Sequence, residues 1–174
     1  MALVLDASAI VETLLTTQRG VEAQTVIEQH ANDLHIPHLE NTPQNLLPPV
    51  ESFAGTPSKK KLAQVPKFQA PSGLEVTETL SALRSAVAKG YASVERCHAA
   101  TNDLSRYPAH RWAVDVLTPH IWELRNTLSA YDATYIALAE VLGAELITCD
   151  QRLATAAPAV SSVTILSILD TTKH

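Results

Sequence analysis

The sequence predicts an α/β sandwich, with helices on both faces of a central, mostly parallel sheet. Three observations predict it. The short apolar runs Met1 to Leu5 and Leu146 to Cys149 each stop on an aspartate, Asp6 and Asp150, as buried parallel strands do when they deliver a carboxylate to their C-terminal edge. Between them, strand-like runs alternate with segments of helical periodicity. With 174 residues, 46% of them hydrophobic, the chain is long enough for one domain with a sizeable core and too short to favour two.

Taken in order, the first strand is followed by Ser8, which caps a helix running to about Thr17 with Ala9, Ile10, Thr13 and Leu14 on a mixed apolar face. Gly20 marks a break, and a second helix from Val21 to about His30 buries Val21, Val26 and Ile27. Leu34-His35-Ile36-Pro37 reads as a short strand entering a turn. Regularity returns at Leu74, where a helix to Ala88 sets Leu80, Leu83 and Val87 on one face and Lys89-Gly90 supplies the stop. Ser93 caps the next helix, which runs to about Leu104 before Tyr107-Pro108. Arg111 to Leu117 is apolar, helix or short strand, and Thr118, an N-cap followed by Pro119 at the first helical position, opens a helix from His120 to Asn126. Ser129 caps a long Ala-rich helix ending at Gly143, with Ala133, Ile136, Ala137 and Val141 as a narrow buried face. A strand from Glu145 to Cys149, a short helix from Gln151 to Ala156 and a last strand from Val163 to Ile168 complete the chain.

Residues 40 to 72 differ from their surroundings. They hold Pro43, Pro48, Pro49, Pro57, Pro66 and Pro71, six of the ten prolines, and the run Lys59-Lys60-Lys61. Prolines at that density exclude a regular helix or a central strand, so this stretch reads as a flexible insertion in one domain spanning 1–174, with the lysines as a solvated run or as part of a partner-binding or RNA-contacting arm.

Composition narrows the function classes. A net charge of −5 excludes a protein that grips nucleic acid over its whole surface, while leaving room for local contact by scattered Arg and Lys. Cys97 and Cys149 provide no disulfide framework and no CxxC pair, and they read as reduced packing residues. There is no apolar run long enough for a membrane span and no basic leader. A cytoplasmic protein without membrane contact is expected.

Each acid has an ordinary structural explanation when taken alone. Asp6 and Asp150 precede helices and can cap them. Asp132 follows Ser129 at capping-box spacing and favours the helix dipole. Together, though, two strand-end aspartates and one helix-start aspartate fall on a single sheet edge, the edge where open α/β sheets bind ligands. Carboxylates about 4 Å apart repel by roughly 4 kcal/mol at an effective dielectric near 20. A shared proton can offset this, but hard divalent cations, Mg²⁺ or Mn²⁺, suit an oxygen-only site with no His or Cys cluster. Such ions orient a phosphodiester and stabilise attacking and leaving oxygens. The seven histidines are scattered without zinc-ligand spacing.

Val4-Leu5-Asp6-Ala7-Ser8-Ala9, Leu124-Arg125-Asn126 through Ser129-Ala130-Tyr131-Asp132-Ala133-Thr134-Tyr135-Ile136-Ala137-Leu138-Ala139, and Leu146-Ile147-Thr148-Cys149-Asp150-Gln151-Arg152-Leu153 resemble the PIN-domain family, in particular the VapC-type ribonuclease toxins of VapBC toxin–antitoxin pairs. The resemblance implies a PIN-like three-layer α/β/α sandwich. It also implies a Mg²⁺- or Mn²⁺-dependent endoribonuclease, usually homodimeric, that acts on RNA and is silenced by a VapB-like antitoxin whose C-terminal segment fills the active-site groove. Carried onto this chain, it assigns the acidic quartet and the metal ligands to Asp6, Glu78, Asp132 and Asp150. Glu78-Thr79-Leu80-Ser81-Ala82-Leu83-Arg84 is similar to the family's Glu-x-Leu-x-x-Leu-Arg helix, with Glu75 as the alternative. Ser8 and Thr148 match hydroxyl positions beside the acids, although Ser8 serves equally as an N-cap. Arg84, Arg125 and Arg152 can contact RNA phosphate or the antitoxin, or can instead pair with an acid and orient it. The departure is the insertion, which leaves both Leu34 to Pro37 and Phe68 to Pro71 as fits for the second strand. Two other readings stand beside this one. The first is a non-catalytic PIN-like module that binds RNA or protein. The second is a receiver-type phospho-acceptor, which lacks here the adjacent acids near the first strand and the later lysine it requires.

Overall fold

The computed structural model describes residues 1–38 and 74–169. Five strands form one sheet: β1 (Leu3–Leu5), β2 (Leu34–His38), β3 (His110–Ala113), β4 (Glu145–Thr148) and β5 (Ile165–Ser167). Their order is β3-β2-β1-β4-β5, and every neighbouring pair is parallel. Leu34 to Pro37 therefore belongs to the strand beside β1, with Leu3 opposite Leu34. Phe68 to Pro71 and the whole 40–72 stretch lie outside the described residues.

Helices cover both faces. Because strand side chains alternate, Leu3 and Leu5 enter one apolar cluster and Val4 the other, as do Ile147 and Leu146 respectively. The first cluster is closed by α1 (Ala7–Leu15), α2 (Gln18–Gln29), α3 (Leu74–Ala88) and α4 (Val94–Ser105) through Ile10, Leu14, Ile27, Leu83 and Leu104. The second is closed by α5 (Thr118–Glu123), α6 (Ala130–Leu142) and α7 (Gln151–Ala156), with Ile136, Leu138 and Leu153 at its centre. These are the three layers of a PIN-like α/β/α sandwich.

Several local expectations are corrected. Gly20 does not break a helix; it lies inside α2, where a Cβ would come within 2.0 Å of the Glu12 carbonyl oxygen, so its missing side chain lets α1 and α2 touch. Leu80 is exposed, and α3 buries Thr79 and Leu83 instead. The buried surface of α6 is not narrow: every residue from Ala133 to Ala139 is buried. Thr118 is the first residue of α5 rather than its cap, and Arg111 lies in β3. Ser93 and Ser129 cap α4 and α6, accepting from Arg96 N and Asp132 N, and Gly143 closes α6 with φ 59°. Cys97 and Cys149 are both reduced and buried. Between β2 and β3, Trp112 Nε1 donates to His35 Nδ1 at 2.9 Å, and His35 Nε2 lies 2.8 Å from Asp33 Oδ1. No helix among the described residues is long and apolar enough to cross a membrane.

Candidate active site

The chain builds outward from β1 through β2 to β3, then returns to the other side of β1 with β4. The strand order thus reverses between β1 and β4, and a crevice opens at such a switch point beyond the carboxyl ends of the strands. Asp6 leaves β1 there, Thr148 ends β4, and Asp150 follows two residues later.

Asp6 is only 6% exposed. It occupies the N-cap position of α1 but makes no side-chain cap bond, so helix capping does not account for it. Its Oδ2 accepts the hydroxyl protons of Ser8 and of Thr148, the latter at 2.6 Å. Among the described residues no hydrogen bond falls on Oδ1. Ser8 is correspondingly not the cap expected from sequence. It lies within α1, donates to Asp6 and accepts from Cys149 N at 2.9 Å. Thr148 Oγ1 similarly accepts from Asp150 N at 3.0 Å. The two hydroxyls therefore tie the β4 terminus to the carboxylate at the end of β1.

Burial holds the Asp6 carboxyl above its ordinary range. The Ser8 and Thr148 hydroxyls pull it back, and Asp132 and Asp150 push it up again. Both of these carboxylates are thus close enough to act on Asp6 through space. Asp132 sits in the first turn of α6 and accepts from Ser129 Oγ at 2.8 Å, while Asp150 caps α7 by accepting from Arg152 N at 2.7 Å. Asp150 thus fills the capping role read from sequence, whereas the Asp132 carboxylate accepts the Ser129 hydroxyl rather than its amide, and Ser129 is the cap of α6.

Glu78 on α3 accepts the Tyr135 hydroxyl at 2.6 Å. Tyr135 lies one turn beyond Asp132 on α6, so the fourth acid is held against the helix that carries the third. Glu75 lies at the start of α3, where its side chain falls outside the described residues. Arg152 is solvent-exposed, with Nε 4.0 Å from Asp150 Oδ1. Arg125 stacks on the Trp122 ring, and Arg84 lines a groove between α3 and α4 with Leu80, Leu83 and Cys97.

Sequence reasoning missed Tyr135 and Arg19. Arg19 pairs with Glu12 and reaches the Cys149 carbonyl at 3.4 Å, bracing the residue between Thr148 and Asp150. Tyr135 was discoverable, since a tyrosine three positions after Asp132 shares its helix face. Nothing in the linear pattern marks Arg19.

The donor set at the crevice consists of carboxylate and hydroxyl oxygens, the chemistry of a hard cation. Among the described residues no three His, Cys, Asp or Glu side chains are already drawn together around one point.

Carboxylates at the switch point of an all-parallel five-stranded sheet define the chain as a PIN-like α/β protein. No family model matches it. A VapC ribonuclease of Mycobacterium bovis is 32% identical over 164 residues, covering 94% of this chain and 98% of that protein. Ribonuclease VapC12 of Mycobacterium tuberculosis is 30% identical over 152 residues, covering 87% and 89%. The chain belongs to the VapC ribonuclease family. Among solved structures, PAE2754 from Pyrobaculum aerophilum superposes with a TM-score of 0.54 at 16% identity, covering 97% of this chain and 84% of that one. VapBC2 from Rickettsia felis, bound to a DNA fragment from their promoter, gives 0.50 at 12% identity, covering 96% and 98%. These two likenesses show the shared fold.

Proposed function

We propose that this protein is the toxin ribonuclease of a toxin–antitoxin pair and that it hydrolyses RNA phosphodiesters with Mg²⁺ or Mn²⁺ held by Asp6, Asp132, Asp150 and Glu78. The observation that carries this reading is Asp6, a buried carboxylate with two hydroxyl donors on one oxygen, two further carboxylates acting on it, and no capping duty. A hard cation would offset the repulsion within such a set, and Asp6 Oδ1, which accepts no hydrogen bond among the described residues, would be the oxygen to hold it.

Asp6 is the anchoring ligand in this scheme, oriented by Ser8 and Thr148. Asp132 supplies the second carboxylate from the rigid first turn of α6. Asp150 and Glu78 flank it, held by the Arg152 amide and the Tyr135 hydroxyl. The ion, when bound, supplies charge stabilisation for the phosphoryl oxygens. The side chains fix its place, orient the phosphodiester for in-line attack by water, and accept the proton released. Because these side chains are not already closed into one cluster, holding an ion would require them to move together.

Arg152, exposed and 4.0 Å from Asp150, can meet a phosphate or an antitoxin carboxylate. A VapB-like antitoxin, assembly as a homodimer and a cytoplasmic location complete the proposal. The ribonuclease names of the relatives and the VapBC2 neighbour support the RNA substrate and the antitoxin.

Cleavage of a panel of structured and unstructured RNAs, measured with Mg²⁺, with Mn²⁺ and with chelator, tests the proposal. Activity is expected with either ion and none with chelator or in Asp6→Asn. Cleavage that persists in chelator removes the metal mechanism.

A further inference from the structure

The acids account for bond breaking but leave the holding of an RNA chain unexplained. Beside them the structure carries aromatic surface that the core does not use. Trp122 is 68% exposed and Tyr131 is 53% exposed. Both flank the N-terminus of α6, Trp122 on α5 before the connecting turn and Tyr131 immediately before Asp132. Leu124 and Leu128 are buried on either side of that turn, so the core fixes its course.

The placement is specific. Tyr131 lies four positions before Tyr135, on the same helix face, and Tyr135 is bonded to Glu78. Tyr131 thus shares the start of α6 with Asp132, one turn before the tyrosine whose hydroxyl Glu78 accepts. The Arg125 guanidinium lies 4.9 Å from the centre of the Trp122 ring, and its Nη1 donates to the Trp122 carbonyl at 2.8 Å. One tryptophan face is thus backed by a fixed positive charge. Glu123, next in sequence, lies 3.1 Å from His120 Nδ1.

Exposed aromatic faces beside a held guanidinium suit unpaired nucleobases on a phosphate chain, because every base has a π-face and every linkage an anion. Bases within a duplex are already stacked and do not offer their faces. We propose that Trp122, Arg125 and Tyr131 form a stacking platform that seats single-stranded RNA next to the Asp132 side of the crevice. The platform rests on the ribonuclease reading and adds to it the residues that hold the RNA chain.

The test uses the full chain in chelator, so that RNA is bound without being cut. The probe is a short unstructured RNA oligonucleotide, with a fully paired RNA duplex for comparison. Trp112 is buried and bonded to His35, so quenching of exposed tryptophan emission reports on Trp122. The oligonucleotide is expected to bind more tightly than the duplex and to quench that emission. Trp122→Ala and Tyr131→Ala are each expected to weaken binding by roughly ten- to a hundredfold, while Trp122→Phe stays within about threefold of wild type. Arg125→Ala should lower the slope of log affinity against log salt by about one. The exposure of these side chains leaves the melting temperature of each variant close to wild type.

Undiminished binding by both alanine variants overturns the platform, as does preference for the duplex. If Trp122→Ala separates copies of the chain in sedimentation while RNA affinity holds, the surface is a contact between copies and the proposal fails. Wild-type protein that cleaves RNA with Mg²⁺ while both alanine variants bind normally sinks the platform alone. Wild-type protein that neither binds nor cleaves RNA sinks the ribonuclease reading with it.

Discussion

Asp6→Asn is expected to raise the stability of the ion-free protein while abolishing its activity. The carboxylate is buried, and the net effect of its surroundings is to disfavour its charge, burial being the largest influence. A carboxylate pair roughly 8 Å apart repels by about 2 kcal/mol at an effective dielectric near 20. Partial exposure of Asp132 and Asp150 screens this, and weaker hydroxyl bonds to a neutral amide oxygen reduce the gain further, leaving about 1–2 kcal/mol. For a chain of this size that is a rise of roughly 2–8 °C in melting temperature at neutral pH in chelator. The pH dependence has a definite sign. Above the ordinary value of 3.8, the unfolded chain releases the Asp6 proton while the folded chain retains it, so this residue's contribution to stability falls as pH rises through the raised folded value. The gap between variant and wild type therefore closes as pH falls toward 3.8 and opens above it. Adding Mn²⁺ at about a hundred times its dissociation constant stabilises wild type by about 2.7 kcal/mol and leaves the variant unmoved. Differential scanning calorimetry across pH, with and without ion, reads all of this. If Asp6→Asn melts below wild type at neutral pH in chelator, the carboxylate is held by favourable contacts and the electrostatic reasoning fails.

Other perturbations probe the supports of the site and the fold. Tyr135→Phe removes the hydroxyl that holds Glu78 and should lower cleavage by about ten- to a hundredfold, with a stability cost near 1 kcal/mol; unchanged turnover would show that Glu78 is oriented by other means. Gly20→Ala pushes a methyl group into the Glu12 backbone and should cost about 1–3 kcal/mol in urea unfolding, whereas a neutral outcome would mean that α1 and α2 part easily. The His35 hydrogen bond holds the Asp33 carboxyl below its ordinary range, so its stabilisation is present above pH 3.8 and is lost as pH falls through the lower folded value. Asp33→Asn should remove that acid-limb slope at a cost under about 1 kcal/mol, because Asp33 is half-exposed.

Much of this protein is determined locally. The apolar runs ending at Asp6 and Asp150, Ser129 three residues before Asp132, and Gly143 closing the Ala-rich helix are short-range patterns whose physics acts within a few residues. They set the strands, the caps and the edge on which three acids fall. Tertiary structure decided what depends on contact between distant segments. Leu34 to Pro37 pairs with β1 because alignment with Leu3 joins its backbone to the sheet. Gly20 sits inside a helix because another helix presses against it. Ser8 serves Asp6 and the end of β4 rather than a helix terminus because β4, some 140 positions away, places Thr148 and Cys149 beside it. Arg19 braces Cys149 and Tyr135 holds Glu78 for the same reason. Capping and periodicity leave their mark in neighbouring letters, whereas burial, through-space charge and hydrogen bonds across the sheet arise only when the chain has closed on itself.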